Sequence, residues 1–204
     1  MILLLIPIRH LFFNGGIIMD EELKHHLDEG EKVLWNGAPE KFETMDKTYK
    51  PAIVRKAVIC AGIAAALTAA YMLAVKGTGN FKIGVEAIVI AACILAAVSN
   101  FTDARKIRKQ EYCITDSRLL WKSENVHSIP FNAIKDYSFG KDDDGHTSLL
   151  IGEETIKAKK SKWRVLAASP AIVSEDSGIC ERAVFYAIPN AEQFRKIFEQ
   201  KLSK

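Results

Sequence analysis

No CxxC pair, HExxH, nucleophile elbow or phosphate-binding glycine loop occurs in the 204 residues. The usual local signatures of structural zinc, metalloprotease, acyl-transfer and nucleotide chemistry are therefore missing. Cysteine is scarce. Cys60, Cys93, Cys113 and Cys180 show no metal-like spacing, and two of them lie inside apolar blocks. They read as reduced packing residues, which suits a chain that faces the cytosol. Charge of one sign is also in short supply. A net charge of +3 argues against a dedicated nucleic-acid binder. These absences lead to an expectation of no enzyme activity, no cofactor, no metal and no nucleic-acid partner.

What is present is unevenly distributed. Ala57–Val75 reads AVICAGIAAALTAAYMLAV, nineteen residues without a charge. As a helix it is about 28 Å long, close to the ~30 Å hydrocarbon core of a bilayer. Ile83–Phe101, IGVEAIVIAACILAAVSNF, is another nineteen, with Glu86 as its one charge, near an end where it reaches the interface. KGTGNFK joins the two. Soluble helices keep a polar stripe, and the first block has none beyond Thr68. The expectation is a transmembrane helical hairpin over 57–101, with spans 57–75 and 83–101. Gly62, Ala66 and Ala70, then Ala92 and Ala96, supply small residues for close packing inside it.

Lys50, Arg55 and Lys56 precede the first span, and Arg105, Lys106, Arg108 and Lys109 follow the second. The loop holds only Lys76 and Lys82. The positive-inside bias then places both termini in the cytoplasm of a multi-pass protein of the cell membrane. Residues 1–18 lack the basic n-region and the cleavage site of a signal peptide, and their apolar run is too short to span. Gly15-Gly16 can be encoded by a ribosome-binding sequence, so translation is expected to start at Met19. That makes 1–18 an upstream extension and 19–56 a cytosolic N-terminal segment.

Residues 102–204 read as a small α+β domain. Gln110–Thr115 and Arg118–Lys122 form two strands around an Asp116-Ser117 turn. Ile129–Phe139 reads as a strand with Phe131, Ile134, Tyr137 and Phe139 inward. KDDDGH (Lys141–His146) is a turn, TSLLIG and ETIKAK a hairpin around Glu153, and Arg182–Ile188 a strand. Asn190 and Gln193 have capping-box spacing. Phe194, Ile197, Phe198 and Leu202 then share a helix face. Short antiparallel strands with one such helix predict a barrel or sandwich with the helix closing an open end.

EYCITDSRLL, IPFNAIKDYSF and FYAIPNAEQFRKIFEQKL together resemble the bacterial pleckstrin-homology-like (PH-like) domains of small two-span membrane proteins. Tyr112, Ile114, Thr115, Asp116 and Arg118 match the first motif of that family, Ile129, Pro130 and Ile134 the second, and Pro189, Asn190, Ala191 and Glu192 the third. HLDEGEKVLWNGAP (His26–Pro39) is similar to a segment that precedes the spans there. The resemblance implies a PH-like barrel or sandwich capped by a C-terminal helix, and it fixes no ligand. Asp116 is expected to cap its turn and Arg118 to meet a carboxylate.

The run KAKKSKWR supplies the candidate lipid- or partner-binding residues Lys157, Lys159, Lys160, Lys162, Trp163 and Arg164, joined by Arg105, Lys106, Arg108 and Lys109. One reading rests this loop on the anionic inner leaflet with Trp163 at headgroup depth. The other makes it a solvated loop with Trp163 in the core. Asp142, Asp143 and Asp144 lack the alternate spacing of a calcium loop and read as a solvated turn. Trp35 reads as an anchor for the N-terminal segment. The expected role is a non-catalytic interaction, scaffold or sensing module at the cytoplasmic membrane face. Its partners would be the bilayer, anionic lipid headgroups, an unidentified protein or a second copy. The alternatives are a dedicated anionic-lipid-binding module and an accessory subunit of a membrane enzyme or transporter.

Overall fold

The computed structural model describes residues 19, 21–76, 83–174 and 176–203. The expected extension 1–18 and hairpin-loop residues 77–82 lie outside the described residues. In chain order the elements are α1 (Glu21–His25), β1 (Val33–Gly37), α2 (Lys50–Val75), α3 (Ile83–Ile107), β2 (Glu111–Thr115), β3 (Arg118–Lys122) and β4 (Val126–Pro130). They continue with β5 (Tyr137–Lys141), β6 (Thr147–Ile151), α4 (Glu153–Ile156), α5 (Trp163–Ala167), β7 (Ile172–Val173), β8 (Cys180–Phe185) and α6 (Ala191–Leu202). The class is α+β. Two antiparallel four-stranded sheets, ordered β1-β2-β3-β4 and β5-β6-β8-β7, accompany the C-terminal helix.

α2 and α3 pack side by side, and both are long and apolar enough to cross a membrane. Pro51 sits in the first turn of α2, where its missing N–H breaks no helical bond. Lys56 Nζ donates to Ser99 Oγ at 2.6 Å and marks the register of the pair. Leu73 and Leu95 each keep 73% of their surface free, the reverse of a soluble core helix.

The inner strands β2, β3, β6 and β8 are largely buried on both faces, and the side-chain period of two divides their residues. Tyr112, Ile114, Leu119, Trp121 and Ile129 meet Leu149, Ile151, Ala183 and Phe185 in the core between the sheets. Cys113 and Leu120 face the other way, onto Leu23 of α1. Leu150, Val184 and Tyr186 turn outward onto Trp163 and Ala167 of α5 and onto Ala104 and Ile107 at the end of α3. Helix α6 enters the central core with Phe194 and Phe198, both fully buried. Phe194 meets Trp35 edge-on at 4.8 Å between centroids.

The strand expected over Ile129–Phe139 is two strands in different sheets. Pro130 ends β4, a 3-10 turn spans Phe131–Ala133, and β5 begins at Tyr137. Ile134 is buried there, whereas Tyr137 is exposed. ETIKAK is not a strand. Gly152 adopts φ +92, and a Cβ there would lie 1.8 Å from Glu181 O, so the chain leaves the sheet and turns into α4. The expected capping box does not form either. Asn190 is left-handed at φ 48 and makes no side-chain cap.

Segment 19–56 contributes a strand to the domain. Strand β1 pairs with β2 across the hairpin insertion, with Trp35 opposite Ile114 and Gly37 opposite Tyr112. The chain before α2 and the chain after α3 thus belong to one folded unit.

Candidate functional site at the base of the hairpin

The chain between β1 and α2 is short and polar, and Asp46 starts the helix that follows it. Its Oδ1 accepts the Tyr49 amide at 3.0 Å, three residues on, and its carbonyl accepts Lys50 N–H. This is the local pattern of an acidic side chain at a helix start. The other carboxylate oxygen, Oδ2, meets Arg164 from α5, 118 residues away.

Arg164 is 3% exposed. It pairs with Asp46 and donates to the carbonyls of Glu43 (2.9 Å) and Thr44 (3.2 Å) and to Tyr186 Oη (2.9 Å). Its guanidinium lies 3.8 Å from the Tyr49 ring centroid, 4.3 Å from Phe42 and 5.0 Å from Tyr186. A planar, weakly hydrated cation suits such a ring of aromatics. Tyr49 Oη donates to Lys160 O at 2.9 Å, which ties the start of α2 to the turn before α5.

The β5–β6 turn completes the network. Asp144 accepts Lys47 N–H, Thr48 N–H and the Thr48 hydroxyl at 3.0–3.2 Å. Asp142 accepts the Tyr186 hydroxyl at 2.5 Å and the amides of Asp144 and His146. Lys141, Asp143 and Gly145 are exposed as expected of a solvated turn, but Asp142 is buried. Burial raises the Asp46 carboxyl above its ordinary range although the Arg164 charge opposes it. Burial likewise raises the Tyr49 and Tyr186 hydroxyls. Asp144 is held below the ordinary range, because the Thr48 and Lys47 amides outweigh its desolvation.

Ligand atoms of Asp46, Asp142 and Asp144 lie within 4.8 Å of one another. Each carboxylate already accepts protein donors, and Asp46 is also paired with the Arg164 guanidinium. The arrangement acts as a clamp, holding residues 42–49 between the β5–β6 turn and α5. Beside it, a cavity of about 460 Å³ is lined by Phe42, Met45, Asp46, Asp144 and His146. A second cavity, of about 710 Å³, lies between β5 and the first turn of α6, lined by Phe139, Lys141 and Arg195.

The expected site residues fall into two groups. Trp163 and Arg164 are buried, so neither is a surface contact. The Trp163 ring packs where a Cβ on Gly140 would come within 2.5 Å, and its indole N–H donates to Ala158 O. Arg108 is tied to Phe42 O at 2.8 Å and to the Thr44 hydroxyl. Lys157 pairs with Glu153, Lys160 with Asp143 and Lys106 with Glu124. Among the described residues, Arg105, Lys109, Lys159 and Lys162 pair with no carboxylate. Both basic runs lie at the base of the hairpin, since Trp163 and Ala167 share a cluster with Ala104 and Ile107 and Gln110 Nε2 donates to Ala167 O at 2.8 Å.

The motifs on either side of the hairpin also meet. Glu31 accepts Arg118 Nε (3.0 Å), Arg118 Nη2 (2.7 Å) and the Ser117 hydroxyl (2.7 Å). Asp116 caps backwards onto Lys32 N–H at 3.1 Å. Burial would raise the Glu31 carboxyl, but hydrogen bonds from Arg118, Thr115, Asp28 N–H and Ser117 hold it at about 2.

No protein-family model, characterised protein or solved structure matches the chain. Its role rests on its own geometry. Sequence reasoning missed Phe42, Asp46, Tyr49 and Tyr186. The legible signal was Asp46 four residues ahead of Lys50-Pro51, a helix start. Nothing local pointed to its distant partner.

Proposed function

We propose that this protein is a membrane-anchored, non-catalytic interaction module. Helices α2 and α3 cross the bilayer as a hairpin. A PH-like domain, made of the two sheets and α6, is held at the cytoplasmic face, where it organises or senses a partner. The observation that carries this reading is the joining of the chain on both sides of the hairpin. Strand β1 pairs with β2, and the Arg164 network clamps residues 42–49 to α5. A domain clamped at both helix ends has its orientation to the bilayer set by packing rather than by a flexible linker. The basic residues around the helix ends favour the cytoplasmic side. The engagement of the acidic cluster in internal hydrogen bonds fits a structural rather than a chemical role.

The test uses full-length protein carrying Ser177→Cys, an exposed turn position. The protein is expected to stay in the pellet after alkaline carbonate washing, and to react with an impermeant maleimide in inverted vesicles but not in intact cells. Release by carbonate, or labelling from outside, would refute the reading.

A further inference from the structure

We infer that the base of the hairpin is a binding surface for anionic phospholipid headgroups, formed by Arg105, Lys109, Lys159 and Lys162. The inference rests on the membrane-anchored reading and names the partner of that face. The Lys56–Ser99 contact aligns the two helices. Lys50 and Arg105 then lie at one level, each six residues beyond that contact (50 to 56, 99 to 105). At about 1.5 Å per residue the separation is roughly 9 Å. The headgroup zone extends roughly 5–7 Å from the hydrocarbon on each side, within reach of long cationic side chains at that level.

The α5 region is fixed at the same level. The Lys160 carbonyl accepts Tyr49 Oη, one residue ahead of α2, and Trp163 packs with Ala104 and Ile107. The backbone that carries Lys159 and Lys162 is thereby bound to the helix ends. With Trp163, Arg164 and Ala167 directed inward, α5 leaves Val165 45% exposed beside these cations. An apolar side chain beside unpaired cations at the root of two apolar helices is the composition of a surface that lies on lipid. Asp103, the one carboxylate in the last turns of α3, has Lys56 and Lys106 as its charged neighbours, so it does not cancel the four free cations. A polybasic surface next to a span attracts anionic lipid through Coulomb forces that salt screens.

Full-length protein is reconstituted into bilayers of equal parts phosphatidylcholine and phosphatidylglycerol. The association of spin-labelled phosphatidylglycerol with the protein boundary is compared with that of spin-labelled phosphatidylcholine, at low and high salt. The wild type is expected to prefer phosphatidylglycerol and to lose much of that preference in high salt. Lys162→Gln alone is expected to lower it by up to about fivefold, the effect of one basic residue at an anionic surface. Arg105→Gln, Lys109→Gln, Lys159→Gln and Lys162→Gln together abolish it. A control with Lys135→Gln, Lys141→Gln and Lys196→Gln, on the β5 and α6 side, retains it. No preference in the wild type, no loss in the fourfold variant, or an equal loss in the control would overturn the inference. Carbonate washing of the same samples separates the two readings. Protein that stays in the membrane without a lipid preference defeats only this inference, whereas protein that washes out defeats the anchor as well.

Discussion

Replacing Arg164 by Met keeps most of the side-chain volume and removes the cation. The carboxylate of Asp46, buried and paired with that guanidinium, then stays behind with only the Tyr49 amide as a donor. Two backbone carbonyls and the Tyr186 hydroxyl also lose a donor. Breaking a buried pair on one side costs about 3–5 kcal/mol. For a chain of this length that corresponds to roughly 10 °C in melting temperature. The assay is thermal unfolding of the full-length protein in detergent, followed by tryptophan fluorescence.

The sign of the pH dependence follows from Asp46. Burial already raises its carboxyl, and Arg164 is the main influence that lowers it, so the variant raises it further. A folded-state value above the unfolded one lowers stability as pH rises. The deficit of Arg164→Met is therefore larger at pH 7 than below about pH 3, under the ordinary carboxyl value of 3.8, where Asp46 is protonated in both states. Adding Asp46→Asn recovers about half of the loss at pH 7, because the stranded charge is gone. A melt of Arg164→Met within a degree or two of wild type at pH 7, or a deficit independent of both pH and Asp46, would refute this account of the clamp.

Glu31→Gln is expected to cost ~2 kcal/mol at pH 7, less than its full pKa displacement implies because Arg118 is partly solvated. Since the folded carboxyl is held at about 2 against an ordinary 4.5, its contribution is complete above about 4.5. It fades as pH falls through about 2, so wild-type and variant melts converge in acid and stay apart at neutrality. Gly152→Ala is expected to cost about 3 kcal/mol or more, from positive φ and from a methyl group 1.8 Å from Glu181 O. Its readout is a lowered melting temperature and poor recovery of folded protein, and wild-type stability would contradict the backbone geometry described.

The sequence alone determined whatever depends on periodicity and composition. Two apolar runs, the first without a charge and the second with Glu86 alone, became the two exposed helices because no arrangement of such residues leaves a polar stripe. EYCIT and RLLWK became β2 and β3 around Asp116-Ser117, and Phe194 and Phe198 became the buried face of α6, because each pattern is complete within a dozen residues. Tertiary structure decided what depends on distant partners. Strand β1 joins β2 only because the hairpin returns the chain to its starting level. ETIKAK turns away from the sheet because Glu181 O occupies the space beside Gly152. Arg164 sits in a run of lysines and reads as a surface residue, and the sequence leaves Trp163 open between headgroup depth and the core. Both are buried because Phe42, Asp46, Tyr49 and Tyr186 together provide a cavity with a counter-charge. A cation is stable inside a protein only when its carboxylate and acceptor groups arrive with it, and here the Asp46 carboxylate and the Glu43 and Thr44 carbonyls come from more than a hundred residues away in the chain, joined by the Tyr186 hydroxyl.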